Sequence, residues 1–243
     1  MSRTRIRAVF LDAGDTLFTE RRSRSQIYAT VAREHGVQVA PQDMADAMSR
    51  IFRELPSSVD GSFRYSLAWF RAFNERVMAE VGVAESRRVS AHEELIHRFQ
   101  DPRTYKVFPE VIEVLEKLRE TEVLVGIVSN WSEKLPELCD GLGISERVGF
   151  IVSSASMRAE KPDRAIFERA LFRAGVPAEE AVHVGDHPER DVRGALEAGM
   201  RAVLLHRDPE SRPSETDGVP VISDLRALLP LIEASRPAAA SGP

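Results

Sequence analysis

Polar residues that could hold a metal ion or an anion follow the short apolar runs of this sequence. They are Asp12, Ser129, Asn130, Lys161, Asp186 and Asp191. Three carboxylates at one site would be costly to bring together unless a cation completed the group. Carboxylates that leave room for water are the ligands that Mg²⁺ prefers, and bound Mg²⁺ usually comes with a phosphate. The ammonium of Lys161 would add positive charge beside such an anion.

Each of these residues, taken alone, is also typical of helix caps and turns. Asp and Ser after a strand most often begin a turn or accept a hydrogen bond from the first turn of a helix. Capping gives no reason, however, for a lysine to join the same set. The combination therefore favours one site over a series of separate caps.

Apolar runs rich in Val and Ile predict the strands that would position these residues. The runs are 8–11, 123–128, 150–152, 181–184 and 202–205, and a later strand begins near Val219. Helical patterns separate most of them, over 109–120, 132–142, 162–174 and 188–198. Strands that alternate with helices are typical of a parallel sheet in an α/β fold. Ligands of such sheets bind at the carboxyl ends of the strands, where the polar residues fall.

Residues 20–105 interrupt this alternation and show only helical periodicity. One helical face carries Leu67, Phe70, Phe73, Val77 and Val81, and turn signals divide the segment into about four helices. We therefore predict an α/β core over residues 1–19 and 106–243, with an inserted helical domain over 20–105. Residues 235–243 are rich in Pro, Ala, Ser and Gly, and we expect them to be disordered.

The composition of the chain argues against several classes of function. With 33 basic and 38 acidic side chains in 243 residues, the net charge of -5 disfavours a nucleic-acid binder. No stretch of 18 consecutive apolar residues is present, so we expect no membrane span. Cys139 is the only cysteine, which excludes an internal disulfide and a CxxC pair. A cytoplasmic protein fits these observations best.

Four segments of the sequence resemble the four motifs of the haloacid dehalogenase superfamily. They are 9–17 (VFLDAGDTL), 127–130 (IVSN), 161–162 (KP) and 184–191 (VGDHPERD). The resemblance implies a Rossmann-like, doubly wound parallel sheet, with the helical insertion as a cap that closes over the site. It further implies Mg²⁺-dependent hydrolysis of a small phosphorylated metabolite.

The resemblance also implies a role for each motif residue. Asp12 is the nucleophile that forms an aspartyl-phosphate, and Lys161 offsets negative charge between Asp12 and the phosphate. Ser129 and Asn130 bind the transferring phosphoryl oxygens. The Mg²⁺ ligands, direct or through water, are the carboxylates of Asp12, Asp186 and Asp191 and the backbone carbonyl of Gly14.

Gly14 stands where phosphatases of this superfamily carry a second aspartate, their general acid and base. Losing such a group typically costs about 10²- to 10⁴-fold in rate, so we expect slow or selective phosphatase activity. We hypothesise that a local backbone shift at Gly14 lets the neighbouring Asp15 replace the missing acid.

Two alternatives remain open at this point. Metal-independent 2-haloacid dehalogenases of the superfamily also lack the second aspartate, and a member without turnover would act as a binding protein. Gly185 and Asp186 keep the metal-binding form of the fourth motif, which favours the phosphatase.

Overall fold

In the computed structural model, which describes residues 4–208 and 218–235, the chain divides into two compact units. The core unit contains the described parts of Met1–Thr19, Val107–Asn130 and Leu142–Pro243. The helical unit contains Glu20–Lys106 and Trp131–Gly141.

The core unit contains both strands and helices, and the inserted segment contains helices and one short antiparallel strand pair. The strands are β1 (Ala8–Leu11), β2 (Phe18–Glu20), β3 (Ser58–Val59), β4 (Ser62–Phe63), β5 (Tyr105–Val107), β6 (Leu124–Ser129), β7 (Phe150–Ser153), β8 (Ala181–Gly185), β9 (Arg201–Leu205) and β10 (Val221–Ile222). The helices are α1 (Arg24–Glu34), α2 (Pro41–Glu54), α3 (Leu67–Glu80), α4 (Glu85–Gln100), α5 (Val111–Glu120), α6 (Leu135–Gly141), α7 (Ser154–Met157), α8 (Arg164–Ala174), α9 (Gly194–Glu197) and α10 (Leu228–Glu233). A π-helical turn, Pro188–Arg193, leads into α9.

A six-stranded parallel sheet forms the centre of the core unit. Its strand order is β10-β9-β8-β1-β6-β7, and β1 pairs with β6 on one side and with β8 on the other. Every residue of β1 and β8 is buried, as expected for strands covered on both faces. The order changes direction beside β1, which is where ligands of doubly wound sheets bind. The predicted α/β, Rossmann-like fold is confirmed.

Side chains of the core pack closely on the sheet. The Phe10 and Phe150 rings meet edge to face, with centroids 5.6 Å apart. A Cβ at Gly126 would overlap the Phe150 ring, so this strand position requires a glycine. Aromatic pairs of this geometry add to the stabilisation from burial, by about 0.5–1.5 kcal/mol each.

The helical unit contains the four helices predicted for the insertion, α1 to α4. Trp69 and Phe73 stack with ring centroids 5.4 Å apart, and Phe73 and Val77 of the predicted stripe are buried. A capping box at Ser23 begins α1 and the Ser66 hydroxyl caps α3. None of the helices in the described part of the chain is long and apolar enough to cross a membrane.

Three features differ from the sequence prediction. The segment Trp131–Gly141 groups with the helical unit, although its sequence position suggests the core. The helix predicted over 188–198 begins as a π-helical turn. Ser235, at the start of the predicted disordered tail, is buried, accepts a hydrogen bond from the Ile6 amide (3.0 Å) and donates one to the Ile232 carbonyl (2.7 Å). The rest of that tail, 236–243, lies outside the described residues.

Candidate active site

The strand register of the core unit places three of the predicted site residues at one edge of the sheet. Asp12 directly follows β1, Ser129 is the last residue of β6, and Asp186 directly follows β8. Because β6 and β8 both pair in parallel with β1, the carboxyl ends of these three strands lie side by side. The amide of Asp12 continues the ladder by donating to the Val184 carbonyl at 2.9 Å.

Lys161 lies between two of the carboxylates. Its Nζ donates to Asp12 Oδ1 at 2.6 Å and also to Asp191 Oδ1. The side chains of Lys161 and Asp191 are each 2% exposed, and that of Asp12 is 12% exposed. Burial alone would lower the pKa of Lys161, but the charges of the two carboxylates raise it. Lys161 is therefore a fixed positive charge at the end of β1.

Asp12, Asp186 and Asp191 each offer a carboxylate oxygen, and these oxygens all lie within 4.8 Å of one another. Burial, followed by the charges of Asp12, Asp191 and Asp15, raises the pKa of Asp186 to about 7. Three ionised carboxylates and one ammonium leave two negative charges in excess. A divalent cation would balance that excess, and an all-carboxylate donor set with one partly exposed member suits Mg²⁺.

Asp191 accepts hydrogen bonds at both of its oxygens. Oδ1 accepts from Lys161 and lies 2.8 Å from His183 Nε2, and Oδ2 accepts from the His187 amide at 3.0 Å. Burial tends to raise the pKa of Asp191, but the ammonium of Lys161 and the hydrogen bond with His183 outweigh it and hold that pKa well below its usual range. A Cβ at Gly185 would overlap the Asp191 carboxyl group. The glycine therefore gives this carboxylate its space.

The two residues predicted to bind phosphoryl oxygens differ in their surroundings. The Asn130 amide is bonded in both directions to the backbone of Lys161: Oδ1 accepts from the Lys161 amide at 2.7 Å, and Nδ2 donates to the Lys161 carbonyl at 3.0 Å. The Ser129 side chain is buried, and its hydroxyl has no partner in the part of the chain that the structure describes. Ser129 thus has an unpartnered hydroxyl for a ligand, whereas Asn130 has only its second amide hydrogen left to donate.

The turn after β1 contains Gly14 and Asp15. Asp15 adopts a left-handed conformation with φ of 56°, its amide donates to the Phe18 carbonyl (2.8 Å), and its Oδ1 accepts from the Thr19 hydroxyl (2.7 Å). Its side chain is exposed and is not part of the three-carboxylate group. The structure therefore brings together Asp12, Lys161, Asp186 and Asp191, while Asp15 acts on this group through its charge.

His183 belongs to this site although its position in the middle of β8 does not single it out. The side chain is fully buried, packs edge to face on Phe167 with centroids 5.2 Å apart, and contacts Asp191. The sequence carried one signal, because a titratable side chain in an otherwise apolar buried strand needs a polar partner.

Comparison with known proteins identifies similar chains. A family model described as haloacid dehalogenase-like hydrolase matches residues 6–199. Haloacid dehalogenase-like hydrolase domain-containing protein 3 of Danio rerio is 31% identical over 210 residues, which cover 84% of this chain and 87% of that protein. The phosphoserine phosphatase of Thermus thermophilus is 30% identical over 236 residues, which cover 86% of this chain and 94% of that enzyme.

Solved structures show the same fold. The crystal structure of a 2-haloacid dehalogenase from Pseudomonas syringae pv. Tomato DC3000 has a TM-score of 0.68 and 27% sequence identity. The match covers 94% of this chain and 98% of that one. Similar proteins thus include enzymes with two different reactions.

Proposed function

The chain belongs to the haloacid dehalogenase-like hydrolase family, and on that basis we propose that it hydrolyses small phosphate monoesters with the help of Mg²⁺. The observation that carries the proposal is the cluster of Asp12, Asp186 and Asp191 around the ammonium of Lys161. Fully ionised and without a cation, that cluster would carry two excess negative charges in a largely buried setting. Similarity to a phosphoserine phosphatase supports the same class of substrate.

The residues present fit a magnesium ion. Asp12 and Asp186 are the carboxylates with oxygens left for a cation, because Asp191 already accepts from three donors. We therefore propose that Asp12, Asp186 and the carbonyl of Gly14 hold Mg²⁺, with Asp191 acting through water. When bound, the ion would neutralise negative charge on the phosphoryl oxygens and on the nucleophile.

Asp12 is the proposed nucleophile. Lys161 holds Oδ1, and Oδ2 accepts no hydrogen bond within the described residues, so this oxygen is available to attack. A bond forms from Oδ2 to phosphorus while the bond from phosphorus to the ester oxygen breaks, and the alcohol leaves with a proton. Water then attacks the aspartyl-phosphate, which releases phosphate and restores the carboxylate.

Two further groups would stabilise the charge that develops on the phosphoryl oxygens. Lys161 carries a permanent positive charge at the site, and the unpartnered hydroxyl of Ser129 can donate to one oxygen. Asn130 fixes the backbone of Lys161 through its two hydrogen bonds, so we assign it a positioning role. One amide hydrogen of Asn130 stays unused by these bonds, so direct phosphoryl binding by this side chain is a second role beside the positioning role that we assign to it.

The leaving alcohol needs a proton, and Gly14 offers none. Asp15 is the nearest carboxylate along the chain, and its charge contributes to the raised pKa of Asp186. We retain Asp15 as the candidate acid and expect substrates with good leaving groups to react fastest.

A dehalogenase is the second candidate, and the observation that favours it is the same Gly14. The 2-haloacid dehalogenase of Pseudomonas syringae has the same fold at 27% identity. In such a reaction Asp12 would displace halide from carbon, and the carboxylate cluster would have no metal to hold. The gathering of three carboxylate oxygens within 4.8 Å of one another argues for the phosphatase, because a bound cation would offset their mutual repulsion.

The test is phosphate release from para-nitrophenyl phosphate, with and without Mg²⁺, compared between the wild type and Asp12→Asn. Halide release from 2-chloropropionate is measured in parallel. Turnover that needs both Mg²⁺ and Asp12 supports the phosphatase. Metal-independent halide release would replace it with the dehalogenase, and no turnover with either substrate would favour a binding protein.

A further inference from the structure

Arg207 lies two residues after β9, and its side chain forms hydrogen bonds with the backbone of the turn that follows β1. Its Nη2 donates to the Thr16 carbonyl at 2.8 Å, and its Nε donates to the Asp15 carbonyl at 3.3 Å. Thr16 and Asp15 precede Arg207 by 191 and 192 residues in the sequence. A planar guanidinium can reach two adjacent carbonyls at once, which a lysine ammonium does less well.

The Arg207 guanidinium also contacts two residues of the segment that follows β5, Phe108 and Glu110. Its Nη2 lies 2.7 Å from Oε1 of Glu110, a carboxylate whose side chain is 3% exposed, and the guanidinium lies 3.6 Å from the centroid of the Phe108 ring. The Phe108 amide in turn donates to the Leu17 carbonyl at 3.0 Å. Arg207 thus contacts both places where the core chain adjoins the inserted segment, the turn 14–19 and the segment 107–110.

The turn that Arg207 contacts needs such support. Asp15 has a positive φ, a conformation that is unfavourable for a non-glycine residue and persists where surrounding contacts fix it. Three contacts fix it here: the Asp15 amide to the Phe18 carbonyl, the Asp15 carboxylate to the Thr19 hydroxyl, and the Asp15 carbonyl to Arg207. Only the last comes from outside the turn.

We propose that Arg207 is a positioning residue for the site: through the Asp15 and Thr16 carbonyls it fixes the turn that carries the Gly14 carbonyl and the Asp15 carboxylate. The part of this inference that concerns metal binding rests on the proposed function. The part that concerns the turn itself does not.

The first test measures hydrogen exchange of backbone amides by NMR in the wild type, Arg207→Lys and Arg207→Met. The Asp15 amide donates to the Phe18 carbonyl and the Leu17 amide donates to the Ala13 carbonyl, so exchange at these two amides reports the stability of the turn. We expect exchange at both to accelerate about tenfold in Arg207→Met, and less in Arg207→Lys, with the amides of β1 unchanged. Equal exchange in all three proteins would overturn the proposal.

Arg201→Met is the matched control. Arg201 begins the same strand β9 and also donates to a backbone carbonyl, that of Thr4 at 2.6 Å, but it does not contact the turn. Acceleration at Asp15 and Leu17 in this variant as well would mean general loosening and would also overturn the proposal.

The second test measures phosphate release from para-nitrophenyl phosphate as a function of Mg²⁺. In Arg207→Met we expect the half-saturating Mg²⁺ concentration to rise about tenfold, while KM for the ester at saturating Mg²⁺ changes less than about twofold. An unchanged Mg²⁺ requirement would contradict a role in metal binding. If the wild type releases no phosphate, the proposed function fails, and the exchange measurement still decides the role of Arg207.

Discussion

The side-chain amide of Asn130 is hydrogen-bonded in both directions to the backbone of Lys161, 31 residues away in sequence. The pair joins the end of β6 to the loop before α8, and the ammonium of Lys161 then reaches Asp12 and Asp191. Because the amide oxygen and one amide hydrogen are both used, the contact fixes the direction of the lysine backbone as well as its distance. Asn130 therefore acts on the chemistry through Lys161.

Replacing Asn130 by Ala should lower kcat with little effect on KM. A misplacement of Lys161 by about 1 Å would cost on the order of 10²-fold in rate, because the ammonium must face the developing charge. Steady-state kinetics with para-nitrophenyl phosphate measures both constants. Ser129→Ala is the variant for comparison. We propose that the Ser129 hydroxyl binds the ester directly, so its loss should raise KM. A rise in KM alone for Asn130→Ala would instead indicate direct contact of Asn130 with the phosphoryl group.

Gly185→Ala should disable the site by moving Asp191. The added methyl group would overlap the Asp191 carboxyl group, so the carboxylate must leave its position beside Lys161. We expect kcat to fall by at least about 10²-fold, together with a loss of about 1–3 kcal/mol in stability from overpacking. Gly126→Ala is the matched control: it is also a buried strand glycine, and its Cβ would overlap the Phe150 ring, away from the carboxylates. Comparable loss of activity in both variants would show that general disruption explains the effect.

Asp186→Asn should have opposite effects on the metal-free protein and on metal binding. Burial and the neighbouring carboxylates raise the pKa of Asp186 to about 7, so its charge is unfavourable at pH 8 without a cation. The substitution should stabilise the metal-free protein by about 1 kcal/mol, or about 2–4 °C in Tm. It should also abolish the increase in Tm that Mg²⁺ gives the wild type.

Thermal unfolding at pH 8 with EDTA or with Mg²⁺ provides both readings, and Asp140→Asn, at an exposed aspartate, is the control. A variant that still gains stability from Mg²⁺ would remove Asp186 from the proposed ligands.

The sequence was sufficient to predict the positions of Asp12, Ser129 and Asp186 at one edge of the sheet. Each lies at the end of an apolar run, and parallel strands bring their carboxyl ends together. The pattern of strands is therefore enough to place these residues at the same edge of the sheet. The contact of Asp191 with Lys161 was not predictable in this way. It depends on the π-helical turn Pro188–Arg193, and apolar periodicity does not distinguish a π-helical turn from the first turn of an α-helix.

Long-range contacts account for the other differences between prediction and structure. Ser235 lies in a composition typical of disorder, but it is buried because its hydroxyl pairs with the Ile6 amide, 229 residues away. The segment Trp131–Gly141 joins the helical unit, where both Glu133 carboxylate oxygens accept from the Leu67 amide at 3.2 Å at the start of α3. A helix of seven residues carries too little periodicity to indicate which neighbour it packs against.

Acidification should destabilise the helical unit through His92. Asn74 Oδ1 accepts from the Tyr28 hydroxyl at 2.6 Å, so the Asn74 amide group faces His92 Nδ1, at 3.1 Å, and requires that nitrogen to be unprotonated. Burial lowers the pKa of His92 below its ordinary value of 6.5. The unfolded chain therefore takes up a proton at a higher pH than the folded one, and stability should fall as pH decreases through about 6.5.

Chemical unfolding of the wild type and of His92→Gln at several pH values between 5 and 8 measures this effect. The variant lacks the titrating group and should lose less stability over the acidic half of the range. Parallel curves for the two proteins would mean that protonation of His92 does not matter to folding.

Installing a carboxylate at Gly14 should change which esters are hydrolysed. Para-nitrophenolate leaves without a proton, whereas an alkyl alcohol needs one, and Gly14 has no side chain to supply it. Gly14→Asp should therefore accelerate phosphate release from an alkyl phosphate such as glycerol 3-phosphate by about 10²- to 10⁴-fold, with a much smaller change for para-nitrophenyl phosphate. Asp15→Asn is the companion variant, and a loss confined to the alkyl ester would identify Asp15 as the acid of the wild type. If neither variant alters the ratio of the two rates, proton transfer to the leaving group does not limit this enzyme, and Gly14 would no longer explain a preference among esters.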